Sequence, residues 1–243
     1  MSERAEILGV KVDAVTMAQA VERVEKLIAA QKNSIVATVN AEMLLRATQD
    51  DDFKKILNSA ELVVPDGAGA VWAARHLGYE MPERVAGFDL VQELMKIAPA
   101  KGYKFFLFGA SPGIADKAQI KAQELYPRIK IVGTRNGYFT AADELEIIAQ
   151  IKNSKPDILL AALGVPKQEK WLAAHKDELN IPVSIGVGGT FDVMAGVVKR
   201  APVWMQRAKL EWLYRAMLQP SRAGRLVALP KFVWKVINSC ILV

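Results

Sequence analysis

Leu62-Val63-Val64-Pro65-Asp66-Gly67-Ala68-Gly69 is the stretch from which the rest of the chain is read. A short apolar run stops at Pro65, an acid follows at once, and two glycines lead into a helical-looking segment, residues 70–77. An uninterrupted apolar run of this length suits a strand buried on both faces, as in parallel sheets. Open α/β sheets bind ligands beyond the carboxyl ends of their strands, which is where Asp66 would stand. An Asp ahead of a helix also suits an N-cap, so residue 66 has two readings on spacing alone.

Working outward, the same alternation recurs. Residues 7–12 read as a short strand or hairpin arm, and Thr16-Met17-Ala18-Gln19 is a capping-box pattern opening a helix. Residues 34–39 read as a strand, 41–58 as a helix, and Asp89 as the cap of another helix. Strands are then expected at 103–108, 129–132, 158–163 and 183–187, with helices at 114–125, 140–151 and 167–177 between them. Strands separated by helices of ~10–15 residues indicate βαβ units. The expected fold is α/β: a Rossmann-like, mostly parallel sheet with helices on both faces.

The 243 residues are 51% hydrophobic and 24% charged, an ordinary globular composition. The single cysteine, Cys240, excludes an intramolecular disulfide and fits a reducing compartment. Residues 1–12 hold no apolar core of signal-peptide length, so no secretory leader is expected. The net charge of +6 is unevenly placed. From Lys199 onward there are nine Lys/Arg and one acid, Glu211, whereas residues 1–198 hold 23 bases and 25 acids. Trp204, Trp212 and Trp234 lie in the same basic tail. Two units are therefore expected: an α/β domain over 1–198 and a basic amphipathic helical appendage over 199–243.

Within the tail, helices are expected at 203–218, 221–229 and 232–237. Basic residues interrupt every apolar run well short of the ~18 residues needed to cross a bilayer. Bases interspersed with apolar and aromatic residues suit a helix lying on an anionic membrane surface. A helical lid docked on the main domain is the alternative.

Polar groups at the other strand ends support a site. Thr38 and Asn40 close the strand at 34–39 and, two apart, point to one face; Asn40 also suits a helix cap. Gly109-Ala110-Ser111-Pro112-Gly113 precedes a helix, and a glycine turn there offers backbone N–H groups to a phosphate. Gly186-Val187-Gly188-Gly189-Thr190-Phe191-Asp192 is a second such strand end, with Asp192 suited to ribose hydroxyls. Gln168 and Glu169 fall in the first turn of the helix after Gly164-Val165-Pro166. Arg84 is a candidate phosphate or sugar contact, although a lone Arg is more often plain surface charge. Neither a dinucleotide fingerprint nor a Walker loop is present, and His76 and His175 lack partners at metal-ligand spacing, so both are read as surface residues. Asp50-Asp51-Asp52 resembles an acidic metal motif but is read as a solvated face in mid-helix. No metal and no cofactor is expected.

Taken in order, these pieces resemble the TagA/WecG/CpsF group, glycosyltransferase family 26. The likeness runs from Thr38-Val39-Asn40-Ala41-Glu42 through Pro65-Asp66-Gly67, Arg84-Val85-Ala86-Gly87-Phe88-Asp89 and Gly164-Val165-Pro166-Lys167-Gln168-Glu169. It continues in the Gly186–Asp192 motif, Arg200-Ala201-Pro202, Leu210-Glu211-Trp212-Leu213-Tyr214-Arg215 and Pro220-Ser221-Arg222-Ala223-Gly224-Arg225. The resemblance implies inverting, metal-independent transfer of N-acetylmannosamine from UDP-ManNAc to the 4-hydroxyl of GlcNAc on diphospho-undecaprenol. The product would be the lipid-linked disaccharide that primes wall teichoic acid assembly. It also implies peripheral attachment to the cytoplasmic face of the membrane.

Under that reading Asp66 is the catalytic base, and Thr38, Asn40, Arg84 and Gln168 orient donor and acceptor. Gly109, Gly186, Gly188, Gly189 and Asp192 hold the UDP part. Arg215, Arg222 and Arg225 neutralise diphosphate. The partners expected are UDP-ManNAc, the polyprenyl-diphosphate-GlcNAc lipid and an anionic membrane surface; nucleic acid is not expected, and self-association of the tail off the membrane is. Rival readings are a nicotinamide oxidoreductase, a non-catalytic nucleotide-sugar sensor at the membrane, and a related UDP-sugar transferase making a different surface polysaccharide.

Overall fold

The β-branched, apolar run at residues 34–39 becomes β3 (Ser34–Val39), buried at every residue. An N-terminal hairpin precedes it, β1 (Arg4–Ile7) and β2 (Val10–Asp13), and β4 (Leu62–Pro65), β5 (Lys104–Gly109), β6 (Lys130–Arg135), β7 (Ile158–Ala162) and β8 (Val183–Gly186) follow. Strands β3 to β8 form one six-stranded parallel sheet in the order β4-β3-β8-β7-β5-β6. The helices are α1 (Met17–Ala30), α2 (Ala41–Ala47), α3 (Asp51–Ser59), α4 (Ala68–His76), α5 (Gly87–Lys101), α6 (Ile114–Leu125), α7 (Glu144–Ser154), α8 (Lys167–Leu179), α9 (Thr190–Met194) and α10 (Gly224–Ser239). This computed structural model describes residues 4–202, 204–205, 214 and 224–239, with the side chains of 224–227 left aside.

The pleat sorts the core into two layers, as period-2 alternation requires. Val36, Phe105 and Leu107 join one cluster with α1, α5 and α6. Their sequence neighbours Ile35, Ala37, Phe106 and Phe108 join the other, with α2, α3, α4, α7, α8 and the hairpin. Helices therefore cover both faces, as the apolar strands demand.

Local chemistry explains the element ends, including those that depart from expectation. Thr16 and Gln19 form the anticipated capping box of α1, each side chain bonded to the other's backbone N–H. The arm at residues 7–12 is a complete hairpin, turned at Leu8 and Gly9, both with positive φ. The single helix expected over 41–58 is two helices. The Asp50 carboxylate accepts from the Phe53 N–H at 2.9 Å and starts α3 afresh. The acidic triplet is thus a helix start rather than a mid-helix face, and Asp50 also pairs with Lys170 at 2.7 Å. Asp89 does not cap α5, whose N-cap is Ala86; its carboxylate receives Arg200 in two hydrogen bonds, at 2.6 and 2.8 Å. The helix expected from Thr140 begins at Glu144, because Asp143 accepts from both the N–H and hydroxyl of Thr140 and holds a turn there. His175 is half-buried rather than a surface residue, packed on Trp171 and 3.2 Å from Glu144.

In the tail, the segments expected at 221–229 and 232–237 are joined in one helix, α10, which runs through Pro230. Its inner face docks on α2 and α4: Phe232 is 1% exposed and Val236 is fully buried. Trp72 of α4 meets Phe232 edge-on, and Lys235 donates to Thr48 at 2.7 Å. This packing outweighs the backbone bond that a proline forfeits. The outer face carries Lys231, Val233, Trp234 and Ile237, with Trp234 67% exposed. The helix expected at 203–218 lies outside the described residues except for 204, 205 and 214. Arg215, Arg222 and the side chain of Arg225 lie outside them too.

Candidate active site

A parallel sheet points every strand's carboxyl end the same way, so residues remote in sequence are delivered to one edge. Here all six strands contribute to a single cleft of ≈ 310 Å³. Thr38 and Asn40 come from the end of β3, Asp66 from β4, Ala110 and Ser111 from β5. Gly137 and Tyr138 follow β6, Leu163 to Val165 follow β7 with Gln168 on α8, and Gly188, Gly189 and Asp192 follow β8.

Asp66 is held by its backbone, its N–H donating to Val39 O at 2.7 Å. The capping alternative does not hold for it: the N-cap of α4 is Gly67, at φ +98°, without a side-chain cap bond. Asn40 does cap, its Oδ1 accepting from the Met43 N–H at 3.1 Å, and it also lines the cleft. Both readings of Asn40 are therefore realised, with Nδ2 left as its donor. Thr38 donates its hydroxyl proton to Gly186 O at 3.0 Å, so toward a substrate its oxygen can only accept.

Three of the anticipated positions stand back from the cleft. Gly109, at φ +127°, lets the end of β5 lie close against its parallel neighbour β7: a Cβ there would lie 2.4 Å from Ala162 O. Its neighbour's amide, Ala110 N–H, is spent on that same carbonyl, so the turn is not a simple phosphate cradle. Gly186 is a backbone acceptor whose missing Cβ leaves room for Gln168, 2.8 Å from where that atom would be. Arg84 sits beside the β4 end, where Val85 N–H bonds Pro65 O, and lies 3.8 Å from Asp89. Neither glycine nor Arg84 belongs to the lining. Tyr138, 71% exposed, lines the cleft at its rim and was not among the expected site residues. Its signal was an aromatic directly after a strand-end glycine, in Asn136-Gly137-Tyr138.

The cleft's electrostatics combine two carboxylates, Asp66 and Asp192, with the N-termini of α6 and α8, neither of which has a side-chain cap. Uncapped N-termini carry partial positive charge that favours anions. Among the described residues no group of three or more His, Cys, Asp or Glu is arranged to hold a metal ion.

Residues 5–242 match the Glycosyl transferase WecG/TagA/CpsF family. The chain belongs to this family. It is accordingly an enzyme, a hexosyltransferase by class. Curated relatives from Staphylococcus aureus strains NCTC 8325 / PS 47, COL and MRSA252 are each 36% identical over 235 residues, 96% of this chain and 92% of theirs. Each is named N-acetylglucosaminyldiphosphoundecaprenol N-acetyl-beta-D-mannosaminyltransferase.

One family-motif residue behind the cleft is strained electrostatically. Glu169 is 2% exposed, and burial pushes its carboxyl up to about 7, opposed by a hydrogen bond from Gln168. Unfolded, the group ionises near 4.5; folded, it keeps its proton to about 7. Between those values the native state binds more protons, so this group makes stability fall as pH rises through the window. Glu169→Gln is expected to gain up to about 3 kcal/mol relative to wild type above pH 7, and progressively less toward pH 5. Urea unfolding at pH 5, 6, 7 and 8 measures it; a pH-independent difference would contradict it.

Proposed function

We propose that the cleft transfers N-acetylmannosamine from UDP-ManNAc to the 4-hydroxyl of GlcNAc on diphospho-undecaprenol, with inversion and without a metal ion. The product is the lipid-linked disaccharide of wall teichoic acid assembly, made at the cytoplasmic face of the membrane. One observation carries this reading: Asp66 lines a cleft built from every strand end in a chain of this family.

The chemistry follows from the side chains. Direct displacement needs a base at the acceptor hydroxyl, and Asp66 takes that proton as the new glycosidic bond forms. The sugar passes through an oxocarbenium-like transition state while the UDP oxygen gains negative charge. Asn40 donates to and Thr38 accepts from the sugar or acceptor, following the hydrogen bonds each already makes. Asp192 accepts from ribose hydroxyls, and the Tyr138 ring offers a flat surface to the base. The volume is at the low end of small-molecule sites, ~300–1,000 Å³, which suits a nucleotide with the sugar toward the mouth. Backbone at Ala110–Ser111 and Gly188–Gly189, rather than at Gly109 and Gly186, lies against the UDP. Arg84 stands back from the cleft beside the β4 end, and Arg215, Arg222 and Arg225 bring positive charge to the diphosphate when the appendage, residues 199–243, closes over the catalytic domain, residues 1–198.

Incubation with candidate UDP-sugars and a short-chain GlcNAc-lipid diphosphate, with and without EDTA, tests this. Transfer from UDP-ManNAc at the same rate in chelator is expected. Product that stops in EDTA and returns with magnesium would overturn the metal-free mechanism. Transfer from another UDP-sugar alone would move the enzyme to a different surface polysaccharide.

Attachment to the membrane is supported by the outer face of α10, where Val233, Trp234 and Ile237 are exposed near Lys231. No helix among the described residues is long and apolar enough to cross a membrane. Each base near an anionic leaflet contributes about 1 kcal/mol, and salt screens it. Binding to vesicles rich in anionic lipid is expected to weaken steeply between low and ~0.5 M salt; salt-insensitive binding would mean that apolar insertion dominates. The same apolar face favours self-association off the membrane, which sedimentation with and without lipid would show.

A further inference from the structure

Behind the cleft wall runs a short relay of hydrogen bonds that the proposed chemistry does not use. Gln168 is 2% exposed and has both polar ends engaged. Its Nε2 donates to Glu169 Oε1 at 2.8 Å, and its Oε1 accepts from the Gly188 N–H at 3.1 Å. Gly188, at φ +51°, and Gly189 form the turn that lines the cleft beside Gln168 itself. Gly186 lacks the Cβ that would lie 2.8 Å from Gln168 Nε2 and 3.1 Å from Glu169 Oε1, so backbone and both side chains are fitted to one another.

An amide can turn over and exchange its oxygen for its nitrogen, and only its partners decide which way it faces. If Gln168 faced the other way, its NH₂ would oppose the Gly188 N–H, donor against donor. The carboxyl oxygen facing the amide opposes this, because Oε1 accepts from Nε2 whether the group is ionised or carries its proton on Oε2. Glu169 supplies that acceptor from the adjacent position on α8, while its second oxygen, Oε2, is buried without a hydrogen-bond partner. Burying a carboxyl with an unmatched oxygen is costly. A glutamate that weakens the fold at this spot is better explained by the site than by packing.

We infer that Glu169 is a positioning residue: its carboxyl sets the orientation of the Gln168 amide and, through it, the Gly188–Gly189 turn against which the donor nucleotide lies. The last clause rests on the transferase reading of the cleft; the relay itself does not.

The test separates the two. In full-length protein, Glu169→Gln retains an acceptor at the Oε1 position, whereas Glu169→Met keeps volume and removes it. Hydrogen exchange of residues 187–190 reports the turn directly. It is expected to quicken about tenfold in the Met variant and to stay near wild type in the Gln variant. Calorimetry with UDP is expected to show affinity about tenfold weaker for Met, with KM for the donor rising more than kcat falls, and near-wild-type values for Gln. Gln168→Met should mimic Glu169→Met, and the double variant should be no worse than either, since both cut one relay. Thermal melts establish that each variant is folded; should Glu169→Met fail to fold, Gln168→Met carries the same exchange and UDP measurements, with wild-type values for both overturning the inference. A folded Met variant with wild-type exchange and UDP affinity overturns it, as does a Gln variant as impaired as Met, which would assign the role to charge. If wild-type protein binds no UDP while the Met variant still exchanges faster, the donor reading falls and the positioning relay stands.

Discussion

Asp66→Ala is expected to reduce transfer by 10²–10⁴-fold while leaving UDP affinity close to wild type and the protein folded. The size is that of a positioned general base removed from the transition state. The selectivity follows from position. Asp66 projects from the end of β4, anchored by its own N–H to Val39 O, so loss of the side chain leaves that strand-end bond in place. No helix loses a cap, because α4 is capped at Gly67 without a side chain. Nor does the nucleotide lose its contacts, which this reading assigns to the far side of the cleft at Gly188, Gly189, Asp192 and Tyr138. Initial rates with saturating donor, calorimetry with UDP and a thermal melt test the three parts. A variant that turns over near the wild-type rate would remove Asp66 from the mechanism.

Ending the chain after Gly196 is expected to abolish transfer and, unlike the loss of a dispensable anchor, to lower stability. The appendage does two things that this cut removes together. In the proposed mechanism it brings Arg215, Arg222 and Arg225 to the diphosphate. In the structure it also covers apolar surface: Ala201, Met205, Phe232 and Val236 are all buried, and Arg200 grips Asp89 through two hydrogen bonds. Removing one buried aromatic typically costs 3–5 kcal/mol, and at 2–4 °C per kcal/mol for a chain of this size the melting point should drop by about 10 °C. Two full-length variants separate the effects. Phe232→Ala should lower the melting temperature most; the triple replacement of Arg215, Arg222 and Arg225 by alanine should lower activity at unchanged stability. A truncated enzyme with normal rates would reduce the appendage to an anchor.

Much of this architecture was legible because its causes are local. Buried strands such as Ser34–Val39 and Leu62–Pro65 announce themselves as apolar runs, since a parallel sheet covered on both faces offers no polar side. Helix α1 carries its own start signal in Thr16 and Gln19, and α6 matches the expected 114–125 residue for residue. Where boundaries slipped, a side chain competed with the periodic pattern: Asp50 restarted a helix and Asp143 delayed one. Pro230 misled in the opposite direction, because Phe232 and Val236 gain more from docking on α2 and α4 than the proline forfeits.

The strand-end polar residues Thr38, Asn40, Asp66, Gln168, Gly188, Gly189 and Asp192 could all be picked from spacing and motif, and all seven line one cleft. Spacing along a chain records which residues sit at strand ends, because the two-residue and 3.6-residue periods leave that mark in any short window. It does not record which strands lie side by side. The order β4-β3-β8-β7-β5-β6, the withdrawal of Gly109 and Gly186 behind the wall, the rim position of Tyr138 and the relay from Glu169 to Gly188 all depend on separate elements of the chain being brought against one another. Such meetings are settled by the packing of whole layers, which no local stretch encodes.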